Sequence, residues 1–247
     1  MTLTAAEIKF VKSLAQKKFR DSSGLFVAEG EKLVAEALAS RFRVEKVYRK
    51  DEIGEAAMAR ITGLSSPSPA LALVHRPDDL SEAKVPEKGL FLALDGIRDP
   101  GNLGTILRVA DWFGIEAVFC SEDTVDCFNP KVVQATMGAI FRVRIHYTDI
   151  PALCKGVIGR SGKVYGTFLD GENFYARELS NGQDAPSVIV IGNEANGISK
   201  QTAACVTDRL YIPPFPADDA GSESLNAAVA TAITVAEFRR RLSSEHK

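Results

Sequence analysis

Val188-Ile189-Val190-Ile191-Gly192-Asn193-Glu194-Ala195-Asn196-Gly197-Ile198-Ser199 is the stretch whose reading decides the fold. Four β-branched apolar residues in a row, with no polar alternation, describe a strand buried on both faces of a parallel sheet. The run stops abruptly at Gly192 and gives way to a small-polar loop that leads into a helix. Loops at the carboxyl ends of such strands are where open α/β sheets bind ligands. Gly192 and Gly197 also let a ligand approach the main chain closely. A second stretch repeats the pattern: Leu210-Tyr211-Ile212-Pro213-Pro214, then Gly221-Ser222-Glu223-Ser224-Leu225-Asn226 before an Ala/Val-rich run. Ser224 and Asn226 are residues that start helices well. Either loop alone reads most simply as a helix cap; the two together define a candidate site.

Working outward, the preceding strands follow the same rule. Leu90–Leu94 predicts a strand, 95–102 a loop rich in Asp, Gly and Pro, Thr105–Phe113 a helix and Ala117–Cys120 the next strand. Strand, loop, helix and strand in that order form the parallel βαβ unit. Lys131–Gly138 reads as helical, Phe141–Ile145 as extended and Ile150–Arg160 as helical. Val164–Leu169 is another strand, 199–207 a helix, and Ser224–Leu242 a long closing helix. Upstream, 5–19 is an amphipathic helix with Ile8, Val11, Leu14 and Ala15 on one face. Gly24–Gly30 is a short strand, Glu31–Ala39 a helix, Val44–Tyr48 a strand, and Ile61–Leu64 and Leu71–His75 are short apolar segments. Residues 76–89 are polar and hold two prolines, as a linker does. The expected organisation is a domain over 1–78, a linker over 79–89 and a larger domain over 90–247.

Composition narrows the class. With 247 residues and 45% apolar content the chain can bury one large core or two modest ones. No apolar run is long enough to span a bilayer, and the N-terminus reads without the apolar region of a signal peptide. Cys120, Cys127, Cys154 and Cys205 are widely spread and form no CxxC pair, and the histidines are His75, His146 and His246. Neither a metal site nor a disulfide framework is expected, and the compartment read from this is a reducing cytoplasm. The net charge of −2 conceals an asymmetry: residues 1–50 carry eleven Lys/Arg against six Asp/Glu, leaving −7 for the remainder. The run Lys9, Lys12, Lys17, Lys18, Arg20 contains no acid and suggests a face toward a polyanion, although a solvated helix face would look similar.

The segment Asp95–Arg108 follows a strand and opens a helix, so its amides suit an anion. Arg108 lies one helical turn beyond Gly104, where a guanidinium can return toward the loop and hold a phosphate through two hydrogen bonds. The plain alternative is a surface Arg paired with Asp111 or Glu116. A nicotinamide-dinucleotide site is disfavoured, because the glycines run Gly101-x-x-Gly104 and not Gly-x-Gly-x-x-Gly.

Three loops in order, Asn102-x-Gly104-x-x-x-Arg108, Gly192-Asn193-Glu194-x-x-Gly197-Ile198, and Ile212-Pro213 with Ser224-Leu225-Asn226, resemble the three motifs of the SpoU (TrmH-like) RNA ribose 2′-O-methyltransferases of the SPOUT superfamily. The resemblance covers about 90–242 and includes Phe128–Lys131 and Thr136–Ala139. Residues 19–75 resemble an L30e-like RNA-binding domain. The resemblance implies an α/β parallel-sheet SPOUT domain with a C-terminal trefoil knot, preceded by that small α/β domain. It also implies S-adenosylmethionine as cofactor, rRNA or tRNA as substrate and a homodimer. Gly192, Ile212 and Leu225 would touch the cofactor, with Ile191 and Thr167 beside them. Asn102, Arg108, Glu194, Ser224 and Asn226 would form the catalytic set, and the basic residues from Lys9 to Arg20 would meet RNA. The sequence departs from the family in motif three, where 214–221 is longer and more acidic than usual. The rival class is an RNA-binding module that keeps the fold without turnover.

Overall fold

The computed structural model describes residues 3–81, 84–180, 182–216 and 224–244. It divides into two compact units, Met1–Asp78 with Asp126–Arg142, and Asp79–Val125 with Val143–Lys247. The expected boundary is therefore corrected: 126–142, assigned by sequence to the C-terminal domain, packs into the N-terminal unit.

In the first unit the elements are α1 (Ala5–Ser13), α2 (Lys17–Ser23), β1 (Leu25–Glu29), α3 (Glu31–Ala39), β2 (Val44–Arg49), α4 (Lys50–Ile53), α5 (Glu55–Ile61) and β3 (Ala70–His75). The single helix expected over 5–19 is two. Thr4 starts α1 through a capping box with Glu7, and the backbone turns extended at Gln16 before α2. The strands form an antiparallel sheet in the order β1-β3-β2. Ile8, Val11, Leu14, Met58, Leu71 and Leu73 build the core on one face. Phe26, pointing to the other face, packs on Phe128 and Phe141 with ring centroids 4.6 and 6.2 Å away. Those two rings explain why 126–142 belongs here: it supplies aromatic core that β1 cannot find nearby.

The second unit begins with β4 (Gly89–Asp95), α6 (Pro100–Trp112) and β5 (Ala117–Cys120). Helix α7 (Pro130–Thr136) belongs to the segment lent to the first unit. There follow β6 (Arg144–Tyr147), α8 (Ile150–Ile158), β7 (Lys163–Asn173), β8 (Pro186–Gly192), α9 (Lys200–Ala203), β9 (Asp208–Tyr211) and α10 (Ala227–Ser244). All six strands are parallel, in the order β6-β5-β4-β8-β7-β9. Phe91 and Ala93 share a core with Ile150, Leu153 and Val157 of α8, while the alternate residues Leu90, Leu92 and Leu94 are equally buried. Both faces of the sheet are covered, as the unbroken apolar runs require. Helix α10 packs on α6 and β8.

From β4 the chain first builds outward through β5 and β6, then returns to place β8 on the other side of β4. The β4/β8 boundary is thus the point where the strand order reverses, and ligands of open α/β sheets bind there. Register brings the two strands to the same level, Asp95 opposite Gly192. Helix α6 starts earlier than the Thr105 read from sequence. Pro100 occupies its first turn and Asp99 caps it, accepting a hydrogen bond from the Asn102 amide at 2.8 Å.

Candidate active site

The site grows from the loops that leave β4 and β8 side by side. Asp95, buried at the end of β4, accepts a hydrogen bond from the backbone N–H of Ser199 at 2.8 Å, fixing the far end of the β8 loop. Asn193 fixes the near end. Its side-chain oxygen accepts from the amides of Ala195 and Asn196 at 2.8 and 3.3 Å, and its side-chain nitrogen donates to the Gly96 carbonyl at 2.7 Å. Backbone hydrogen bonds between Asn193 and Gly197, 3.0 and 2.8 Å long, close the loop into a narrow turn. A Cβ at Gly192 would lie 2.2 Å from the Gly197 carbonyl carbon, so that turn admits only glycine there.

Three loops meet at Asn102. Its side-chain nitrogen donates to the Glu194 carboxylate, and its side-chain oxygen accepts from the Asn226 amide at 2.9 Å. A carboxylate only accepts, which fixes the Asn102 amide with nitrogen toward Glu194 and oxygen toward Asn226. The Asn226 oxygen accepts from the amides of Ala228 and Val229, so the same side chain caps α10 and reaches the site. The closing helix accordingly begins at Ala227, after Ser224 and not at it.

Arg108 lies six residues beyond Asn102 on α6, about 9 Å further along the axis. It is exposed, and among the described residues it forms neither an ion pair nor a hydrogen bond. The alternative pairing with Asp111 or Glu116 does not occur among the described residues, and Glu116 binds Arg144 at 2.8 Å. Helical side chains lean toward the N-terminus, so this guanidinium can reach back over the first turns of α6.

The residues expected at a cofactor share one edge of the sheet. Because β8, β7 and β9 are neighbours, Ile191, Thr167 and the end of β9 come to the same level: Gly166 stands opposite Val190, and Thr167 opposite Leu210. Ile212 follows directly and is half-buried, while Leu225 is 48% exposed. Apolar side chains left partly open beside glycine-lined backbone suit an adenosine and a methionine-like tail. Residues 217–223, which hold most of the long acidic spacer, lie outside the described residues.

Other sequence expectations fare differently. Lys9, Lys12, Lys17 and Lys18 are exposed on α1 and α2 or beside them. Arg20 is not an RNA ligand in this geometry: it is only 1% exposed. Its guanidinium donates to Asp126 at 2.6 and 3.0 Å and to the Leu14 and Ala15 carbonyls at 2.8 and 2.9 Å. The cation is used to close the unit. Sequence reasoning also missed Asp95 and Asn193. Asn193 carried a usable signal, since Asn after a strand-ending glycine favours an Asx turn; Asp95 carried none, because its partner is 104 residues away. Burial pushes the thiol of Cys120 up, and that of Cys154 up to about 12, so neither is a nucleophile. Among the described residues no group of His, Cys, Asp and Glu could hold a metal ion, and no helix is long and apolar enough to cross a membrane.

Parallel strands meeting at a reversal point, and a glycine-tight loop tied to Asn102 through Glu194, define an α/β protein with a candidate ligand site at its strand ends. Comparison with known proteins gives the family. The SpoU rRNA Methylase family model matches 89–236, and an MRM3-like substrate binding domain matches 5–72. The chain is 32% identical to the 23S rRNA (guanosine(2553)-2′-O)-methyltransferase RlmP of Bacillus subtilis, over 94% of this chain and 96% of that protein. It is 28% identical to the mitochondrial rRNA methyltransferase 3A of Danio rerio, over 94% and 68%. Among solved structures, one of the TrmH family from Porphyromonas gingivalis superimposes with a TM-score of 0.87 at 38% identity, over 98% of this chain and 100% of that one. The AdoMet-bound rRNA methyltransferase of Sinorhizobium meliloti gives 0.85 at 29%, over 98% of each chain. This chain belongs to the SpoU rRNA methylase family.

Proposed function

We propose that the protein methylates a ribose 2′-hydroxyl of ribosomal RNA, using S-adenosylmethionine. The observation that carries this is the side-chain chain Glu194–Asn102–Asn226, which ties all three motif loops into one constellation. A module that only bound RNA would have no need of that connection.

S-adenosylmethionine supplies an electrophilic methyl group on a sulfonium, and the reaction leaves S-adenosylhomocysteine. Ile191 and Gly192 of β8, Thr167 of β7 and Ile212, directly after β9, would hold the cofactor, and Leu225, just before α10, would complete its pocket. The 2′-oxygen must lie in line with the methyl, must lose its proton and must be shielded from water. Arginine does not deprotonate in proteins, so Arg108 is not the base. It clamps the neighbouring phosphate and stabilises charge developing on the 2′-oxygen, while the proton passes to a phosphate oxygen or to water. Glu194 orients Asn102, Asn226 holds Asn102 from the other side, and Ser224 with Asn226 would hold the loop and the substrate.

Lys9, Lys12, Lys17 and Lys18 make the first unit attractive to the RNA backbone. The chain end is proposed to form the knot implied by the resemblance. Helix α10 returns to α6 and β8 after β9 at the sheet edge, and Arg241 donates to the carbonyls of Phe174, Tyr175 and Arg177 in the loop after β7. A homodimer completes the reading. The test is methyl transfer from labelled S-adenosylmethionine to unmodified rRNA transcripts, with nuclease digestion and nucleoside mass spectrometry. A 2′-O-methylated nucleoside is expected; a methylated base would reject the ribose assignment.

A further inference from the structure

We propose that Phe215 is a stacking platform for an unpaired base of the substrate RNA; this rests on the function just given. The ring is 99% exposed, an unusual state for so large an apolar side chain. It stands in Pro213-Pro214-Phe215-Pro216, where flanking prolines restrict the backbone and hold the ring out at little entropic cost.

Position says what meets it. The loop leaves β9 through Ile212, three residues before the ring and beside the cofactor edge. It ends at Asn226, which is hydrogen-bonded to Asn102. The described chain thus leaves β9 level with Thr167 and resumes beside Asn102. To expose its 2′-hydroxyl there, the target nucleotide or its neighbour leaves the helical stack and needs a new surface to stack on.

Charge says which part of the RNA it can be. Pro213, Pro214, Phe215 and Pro216 carry no charge. Such a segment offers nothing to a phosphate, and the apolar face of a base is the part of RNA that suits it.

The test uses the full chain, unmodified rRNA transcript and labelled S-adenosylmethionine. Steady-state kinetics are run beside equilibrium dialysis of the cofactor and sedimentation velocity. Phe215→Ala should raise KM for RNA about tenfold, within the range of one lost base–aromatic stack. Cofactor affinity and sedimentation should not change. Phe215→Trp should restore KM, and Phe215→Leu, apolar but without a π-face, should not. An unchanged KM in Phe215→Ala overturns the proposal. So does a loss of cofactor affinity, which would place the ring in the cofactor wall, or a fall in mass, which would place it against a second copy. If the wild-type chain transfers no methyl group to any rRNA, the functional reading fails and the stacking proposal with it. Wild-type turnover with an indifferent Phe215→Ala sinks the stacking alone.

Discussion

Two arginines, one in each unit, show opposite uses of the same side chain. Arg20 is enclosed, and its donors are committed to Asp126 and to two carbonyls. Arg108 is exposed on α6 and uncommitted among the described residues. A guanidinium already satisfied by its own protein has nothing left for a ligand. One held at a site without partners is available to phosphate or to developing negative charge. Basic character alone therefore does not mark an arginine as available to a ligand; the state of its donors does.

Removing Arg20 should be the most damaging change to the fold. Arg20→Ala leaves Asp126 buried without its cation, and urea unfolding should show a loss of about 3–5 kcal/mol, as for a broken buried pair. The double variant Arg20→Met, Asp126→Leu should recover much of it. A loss below about 1 kcal/mol would mean the pair is not the closure described here.

Asn102→Asp tests the other side of the contrast. It sets a second carboxylate against Glu194, so methyl transfer should fall about 10–100-fold with little change in unfolding midpoint. Asn102→Asp, Glu194→Gln should regain part of the loss by removing the repulsion. Activity unaffected by Asn102→Asp would detach the network from the chemistry.

A smaller effect is expected where a carboxylate is satisfied as fully as Arg20 is. Hydrogen bonds from Arg240 and then Arg241 outweigh burial and hold the Glu237 carboxyl down to about 2. Its folded value is depressed below the ordinary glutamate value of about 4.3. Its stabilisation is therefore fully present above that pH and is lost as pH falls toward about 2. Glu237→Gln should cost about 1–2 kcal/mol at pH 7 and flatten the acid limb of the stability curve. An identical acid limb in wild type and variant would exclude that origin.

The parallel sheet was legible because its strands are unbroken β-branched runs, and the site loops because glycine, asparagine and glutamate follow those runs at once. The start of α6 was also available in Asp99-Pro100, a capping residue followed by the favoured first-turn residue, but the glycine-rich sequence after it masked the signal. Three features were not legible. The basic run Lys9–Arg20 reads as one exposed face toward a polyanion, and nothing local says that its last cation meets Asp126, 106 residues away. Phe128 and Phe141 are apolar in sequence, but nothing local says which unit they fill. Asp95 shows its role only once Ser199 has been brought to it. Each depends on a pairing set by topology and not by periodicity.

The central claim is that Arg108 is kept uncommitted for the reaction. Single-turnover methyl transfer by Arg108→Ala and Arg108→Lys, with urea unfolding and cofactor affinity measured in parallel, tests it most directly. The account predicts that Arg108→Ala loses about 10²–10³-fold in rate, and that Arg108→Lys recovers little because a point charge cannot replace the two-pronged contact. Stability should stay within about 0.5 kcal/mol, and cofactor affinity should be unchanged. Near-normal transfer by Arg108→Ala, or a rate loss matched by a loss of stability, would contradict it.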